Sequence, residues 1–117
     1  MDLMTRELLP TGFECPREFL RIVELNLVHL EPWSILDREE VHERMVGLRT
    51  RYPGRVVVPF AARQDRDDMA CWDLAAPDRV SIIHDHASPG WEDHGSHPSF
   101  YAWLRVAVED LVEFADE

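Results

Sequence analysis

Three apolar runs separated by short polar segments occupy residues 56–92, and this alternation constrains the fold more than any other feature. The first run begins with three valines, which are β-branched and favour a pleated, buried surface. In the second run, Ala70, Trp72 and Leu74 are spaced two apart and so lie on the same face of a strand. We therefore expect Trp72 to face the core. The pattern predicts a three-strand antiparallel meander with polar loops at its ends.

Turn-forming residues set the limits of these strands. We predict a first strand from Val56, a turn at 64–68, a break at 76–78, a third strand at 79–85 and a loop at 87–97. Proline cannot donate a hydrogen bond to a β-ladder. Pro59 therefore predicts that the first strand lies at a sheet edge or contains a bulge.

Helical spacing predicts three helices around this sheet. The first covers residues 16–25, with Phe19, Leu20, Val23 and Leu27 as its apolar positions. The second covers Arg38–Arg51, because Asp37 and Glu40 have the spacing of a capping box.

The third predicted helix follows Pro98 and carries a long apolar stripe. Residues 33–36 could add a short edge strand to the sheet. The stripe comprises Phe100, Trp103, Leu104, Ala107, Val108, Leu111 and Val112.

A chain of 117 residues is expected to form a single domain over 1–117, with 1–14 as a loosely attached lead-in. No apolar run approaches the roughly 20 residues of a membrane-spanning helix, and the N-terminus does not resemble a secretory signal. Cys15 and Cys71 are therefore expected to be reduced thiols in a cytoplasmic protein.

The chain is strongly acidic, with 23 acidic and 12 basic residues and a net charge of −11. Such a surface repels phosphate groups, so neither nucleic acid nor an anionic membrane is an expected partner. A basic protein would instead be attracted, and its association accelerated.

Four histidines lie within fourteen positions, at His84, His86, His94 and His97. His84 and His86 are two apart in a predicted strand, so their side chains should share one face. With nearby aspartates they could bind zinc, and one alternative function is therefore a small metal-dependent hydrolase or metal-binding protein.

Other catalytic patterns are weaker. Aspartates at 65, 67, 68, 73 and 85 could include a catalytic pair, but three of them belong to one turn, where aspartate caps local backbone groups. The sequence contains neither a GxSxG elbow nor a glycine-rich phosphate loop. Trp91 follows a Ser-Pro-Gly turn and either covers the end of the core or anchors a partner.

Five segments follow one another between residues 16 and 114: EPWSILD, RYPGR, PFAARQDRDDMACWD, IIHDHASPGWE and PSFYAWLRVAVEDLVEF. In this order they resemble the SUKH superfamily, bacterial immunity-type proteins related to a fungal cell-wall synthesis regulator. The resemblance implies an α+β domain whose central antiparallel sheet is packed by helices. The resemblance also implies that the chain is not an enzyme and that it has no cofactor shared with the family. The matching motif positions are Asp67, Asp68, Trp72, Asp73, His84, Asp85, Ser88, Pro89, Gly90 and Trp91.

The function implied by the resemblance is to bind and neutralise a toxin, often a nuclease. Where relatives tend to carry an aromatic residue after His-Asp, this chain has His86. A regulatory protein-interaction domain without a toxin is a further alternative. We expect the partner-binding residues to be Asp65, Asp67, Asp68, Asp85, His86, Trp91 and Glu92.

Overall fold

A computed structural model describes residues 13–115 of the chain. Most of the predicted lead-in, residues 1–12, lies outside this range. Its end is not loosely attached, because Phe13 is buried and its ring lies 5.4 Å from that of Trp72.

The chain forms an α+β fold with one six-stranded antiparallel sheet whose strands follow one another in sequence order. The predicted antiparallel sheet with three helices is confirmed, although the sheet has more strands than predicted. The helices are α1 Arg17–Glu24, α2 Arg38–Arg51 and α3 Phe100–Ala115. The strands are β1 His29–Leu30, β2 Trp33–Ile35, β3 Val57–Arg63, β4 Asp68–Asp73, β5 Ala76–His84 and β6 Asp93–His97.

Local signals at α2 and β3 are confirmed. Asp37 accepts a hydrogen bond from the Glu40 backbone, and the Glu40 side chain accepts one from the Asp37 backbone, which completes the capping box. In β3 the register with β4 shifts between Pro59 and Ala61, so the proline lies at a bulge within an interior strand.

The predicted edge strand at 33–36 is wrong in its position. The segment forms β2, which pairs with β1 on one side and with β3 on the other, so that β1 is the edge.

Two predicted interruptions are also wrong. The chain turns at 74–75, and β5 already begins at Ala76, before Pro77. The register with β4 shifts at this point, so Pro77 occupies an irregular part of the ladder that requires no proline N–H. The predicted loop at 87–97 ends early, because residues 93–97 form edge strand β6.

Helices α1 and α3 cover one face of the sheet and α2 covers the other. On the first face Trp72, 1% exposed, contacts Phe19 and Phe60, which confirms its predicted orientation. On the second face Val41 and Leu48 pack against side chains of β3, β4 and β5. These side chains alternate along each strand with those that face α1 and α3.

The predicted apolar stripes are only partly buried. Phe100, Trp103 and Ala107 of α3 are buried, whereas Val108 and Val112 are 43% and 50% exposed. In the first helical segment Leu20 and Leu27 are also exposed, at 36% and 44%, and Ile22 is buried instead. Within residues 13–115, no helix is long and apolar enough to cross a bilayer.

Candidate functional site

The segment between β5 and β6, which we call the Trp91 loop (residues 85–92), is fixed to helix α2 at its beginning. Asp85 is 1% exposed and accepts two hydrogen bonds from Arg51, at 2.6 Å from Nε and 2.7 Å from Nη2. It also accepts a bond of 2.8 Å from the backbone N–H of His86, whose φ is +64°. The first residue after β5 is therefore a buried carboxylate, and its partners hold the start of the loop in place.

Burial alone would raise the pKa of Asp85. Here the hydrogen bonds from Arg51 and from the His86 backbone outweigh burial, so the pKa of Asp85 lies below its ordinary value. The same contact raises the pKa of Arg51. Both groups are therefore charged at neutral pH.

A second set of contacts fixes the end of the Trp91 loop. Glu92, 6% exposed, accepts hydrogen bonds from the Gly90 N–H at 2.7 Å and from Arg55 Nε at 2.9 Å. The Gly90 bond, followed by those from the Glu92 backbone and Arg55, lowers the pKa of Glu92. The Tyr52 hydroxyl donates to the carbonyl of Ala87 at 2.7 Å, which ties the middle of the loop to the end of α2.

These contacts leave Trp91 on the outside of a braced loop. Gly90 has a φ of +97°, a conformation that other residues rarely adopt, and the Trp91 N–H donates to the Ser88 carbonyl at 2.9 Å. Trp91 is 77% exposed, the largest fraction of any exposed large hydrophobic residue between Phe13 and Ala115. Beside it lies an open depression of about 970 Å³, whose lining includes Tyr52, Arg55, Leu74, Pro89 and Gly90.

The turn between β3 and β4 adjoins the Trp91 loop, since the backbone N–H of Asp85 donates to the Asp67 carbonyl at 2.8 Å. Asp67 is exposed in this turn. Asp65 is also exposed, but its carboxylate lies 2.7 Å from Arg63 Nε, and this bond lowers the pKa of Asp65. The two loops predicted for recognition therefore meet at one end of the sheet.

A third feature lies where β4, β5 and β6 meet. Asp68 Oδ1 is 2.9 Å from His84 Nδ1 and 3.1 Å from His94 Nδ1. The predicted pairing of His84 with His86 on one face is wrong, because β5 ends at His84 and His86 turns away at positive φ. His97 is half-buried in β6, and its burial lowers its pKa.

Cys15 and Cys71 form no disulfide, as predicted. Cys71 is fully buried in β4, and burial raises its pKa. Burial also raises the pKa of Cys15. Neither thiol is therefore activated as a nucleophile.

The seven residues predicted to bind a partner divide by burial. Asp65, Asp67, His86 and Trp91 are exposed, whereas Asp68, Asp85 and Glu92 are buried and contact groups of this chain. The sequence reasoning missed Arg51, Tyr52 and Arg55, which brace the Trp91 loop from the RYPGR segment at the end of α2. The available signal was the presence of two arginines close to a tyrosine in a chain rich in acids, which favours ion pairs with buried carboxylates.

Comparison of the chain with family models, with curated proteins and with solved structures finds no match.

Proposed function

We propose that this chain is a non-catalytic protein-binding module of the immunity type, which binds a toxin and neutralises it by occluding its active site. One observation carries the proposal: Trp91 is 77% exposed on a loop that is held in place by ion pairs between buried carboxylates and partly exposed arginines. Aromatic side chains dominate the energetics of many protein interfaces. An anchor on a rigid loop also loses little conformational entropy on binding.

The charge of the chain indicates the chemistry of the partner. With a net charge of −11 and Asp67 exposed on the turn beside the Trp91 loop, the surface favours a basic protein. A nuclease toxin is such a protein, because it must bind phosphates. For the same reason we propose that neither nucleic acid nor a membrane is a partner, and that the module acts in the cytoplasm.

The resemblance of the loop sequences to the SUKH superfamily supports the same proposal. The segment IIHDHASPGWE, which carries the resemblance most directly, forms the end of β5 and the Trp91 loop. A regulatory interaction domain without a toxin would use the same surface, and only the effect of the partner on cells separates the two functions.

The test is co-expression with a toxin-like protein encoded directly upstream. The wild-type chain should protect cells and capture that protein in a pull-down. Trp91→Ala should weaken binding by about 2 kcal/mol or more, roughly 30-fold, as expected for an interface anchor. Tyr101→Ala is the matched control, because Tyr101 is a half-exposed aromatic residue on α3.

Failure of the wild-type chain both to protect cells and to bind would refute the immunity function. Binding without protection would favour the regulatory domain. Equal losses for Trp91→Ala and Tyr101→Ala would show that the Trp91 loop is not the recognition surface.

A further inference from the structure

Three adjacent strands each contribute one metal-ligating side chain at the same end of the sheet. Asp68 is the first residue of β4 and pairs across the ladder with His84, the last residue of β5. His94 lies on edge strand β6. A carboxylate oxygen of Asp68 and one ring nitrogen of each histidine all lie within 4.8 Å of one another.

Strand β6 contains a bulge at His94 and Gly95. The register between β5 and β6 shifts between Ser81 and Ile83, and Gly95 has a φ of +111° at this irregularity. Bulges re-aim side chains relative to a regular strand. The His94 ring here stacks on that of His84, with 4.5 Å between centroids and 11° between planes.

The polar atoms of the cluster converge on one point. Both Nδ1 atoms approach the same oxygen, Asp68 Oδ1. To donate hydrogen bonds there, both neutral imidazoles must carry their proton on Nδ1. If both protons moved from Nδ1 to Nε2, the two Nδ1 lone pairs and Asp68 Oδ1 would be available as ligands. Because the rings are stacked with 11° between their planes, one imidazole must rotate before both lone pairs point to one ion.

This set of ligands suits a divalent transition metal. Zinc binds histidine nitrogen and carboxylate oxygen at about 2.0–2.2 Å, and sites with three protein ligands leave a position for water. Tetrahedral coordination at those lengths separates ligand atoms by roughly 3.3–3.5 Å. The observed separations from Asp68 Oδ1, 2.9 and 3.1 Å, are slightly shorter, so binding an ion requires the side chains to move apart and one imidazole to rotate out of the stack.

The solvent access of the cluster also suits an ion. The side chains of His84 and His94 are 33% and 43% exposed, which leaves solvent on one side, while the Asp68 side chain is only 9% exposed. Arg66 approaches the other carboxylate oxygen, Asp68 Oδ2, at 3.9 Å and leaves Oδ1 to the two imidazoles.

We propose that Asp68, His84 and His94 form a binding site for a divalent transition-metal ion, with Zn²⁺ as the best match. The ion would join edge strand β6 to β4 and β5. This inference stands apart from the protein-binding function, because Trp91 and its braces lie outside the three ligands.

The test uses full-length protein purified without a histidine tag and treated with a chelator, then titrated with ZnCl₂ by calorimetry. We expect one ion per chain. His94→Gln should weaken binding by at least about tenfold, because even changes around a metal ligand cost that much. His94 is exposed on an edge strand, so this variant should fold.

His86→Gln is the matched control, because this exposed histidine lies two positions from His84 and outside the cluster. It should bind zinc as the wild type does. Long-range ¹H–¹⁵N NMR supplies a second readout, in which zinc should shift the Nδ1 resonances of His84 and His94 together.

No saturable zinc binding by the wild type would overturn the site, as would equal weakening by His86→Gln and His94→Gln. A Trp91→Ala variant that loses its protein partner should still bind zinc. Failure of the metal site and failure of the protein-binding function are therefore distinguishable.

Discussion

Gly47 in α2 leaves the space that the Arg51 guanidinium occupies, since a Cβ atom on Gly47 would lie 2.5 Å from Arg51 Nη2. The same Nη2 atom donates to Asp85 Oδ2 at 2.7 Å. Glycine within a helix costs roughly 0.5–1 kcal/mol relative to alanine. Glycine at position 47 therefore lowers the stability of α2 but leaves room for the Arg51 guanidinium, which braces the Trp91 loop.

Gly47→Ala should therefore fail to stabilise the protein. Improved helix propensity alone would add about 1 kcal/mol, but the new methyl group must push the Arg51 guanidinium from its present position against Asp85. We expect the two effects to cancel to within about 1 kcal/mol, because the buried carboxylate loses part of its pairing. Urea denaturation measures the difference.

The control for this prediction is the same substitution in an Arg51→Ala background. Without the guanidinium, Gly47→Ala should stabilise the protein by about 1 kcal/mol. A gain of that size in the wild-type background as well would show that Arg51 moves aside without cost.

Arg51→Met should destabilise the fold because it leaves the Asp85 carboxylate buried without its counter-ion. Such losses are about 3–5 kcal/mol, and we expect the lower end because the Arg51 side chain is 33% exposed. Arg49→Met is the matched control on the exposed face of the same helix and should change the stability by less than about 0.5 kcal/mol. Similar losses for the two variants would show that the ion pair adds nothing.

Acid should weaken the wild-type protein through Asp85. Its folded pKa is lowered, so below the ordinary value of about 4 the unfolded chain takes up a proton that the folded chain does not. The contribution of Asp85 is therefore present above pH 4 and is lost as the pH falls through the folded pKa. Urea denaturation between pH 3 and pH 7 should show this decline.

In Arg51→Met the sign of this contribution should reverse. Burial then becomes the main influence on Asp85 and raises its pKa, so the variant loses stability as the pH rises through that value. The difference in unfolding free energy between wild type and variant should shrink toward pH 3. A difference that stays constant with pH would contradict the assigned role of Asp85.

Local signals predicted much of the scaffold. The Asp37–Glu40 capping box predicted the start of α2, and the valines with Pro59 predicted a strand that either lies at an edge or contains a bulge, of which the bulge is present. Edge strand β6 could not be predicted in this way, because Asp93–His97 has no buried face and hence no apolar alternation.

The site was less predictable because its contacts are distant in sequence. The arginine partners of Asp85 and Glu92 lie 34 and 37 positions earlier, so no local pattern showed that these acids are buried. The left-handed conformation of His86 ended the period-two pattern that would have placed it beside His84. His94 instead reached His84 across strands, which required the register of β6.

Asp67→Lys should weaken binding of a basic partner and reduce its dependence on salt. Asp67 is exposed and its carbonyl already accepts the Asp85 N–H, so its side chain can change without loss of a brace. A lysine at the neighbouring Asp68 would instead disturb the fold, because Asp68 is buried against His84. The single change should slow association with the toxin-like partner, and the slowing should diminish as salt rises from about 50 to about 500 mM because screening removes long-range attraction.

Asp78→Lys is the matched control, because it makes the same charge change at an exposed position of β5, outside the two adjoining loops. Association rates of both variants are measured by stopped flow. Equal slowing by Asp67→Lys and Asp78→Lys would mean that net charge alone, not the surface beside Trp91, attracts the partner.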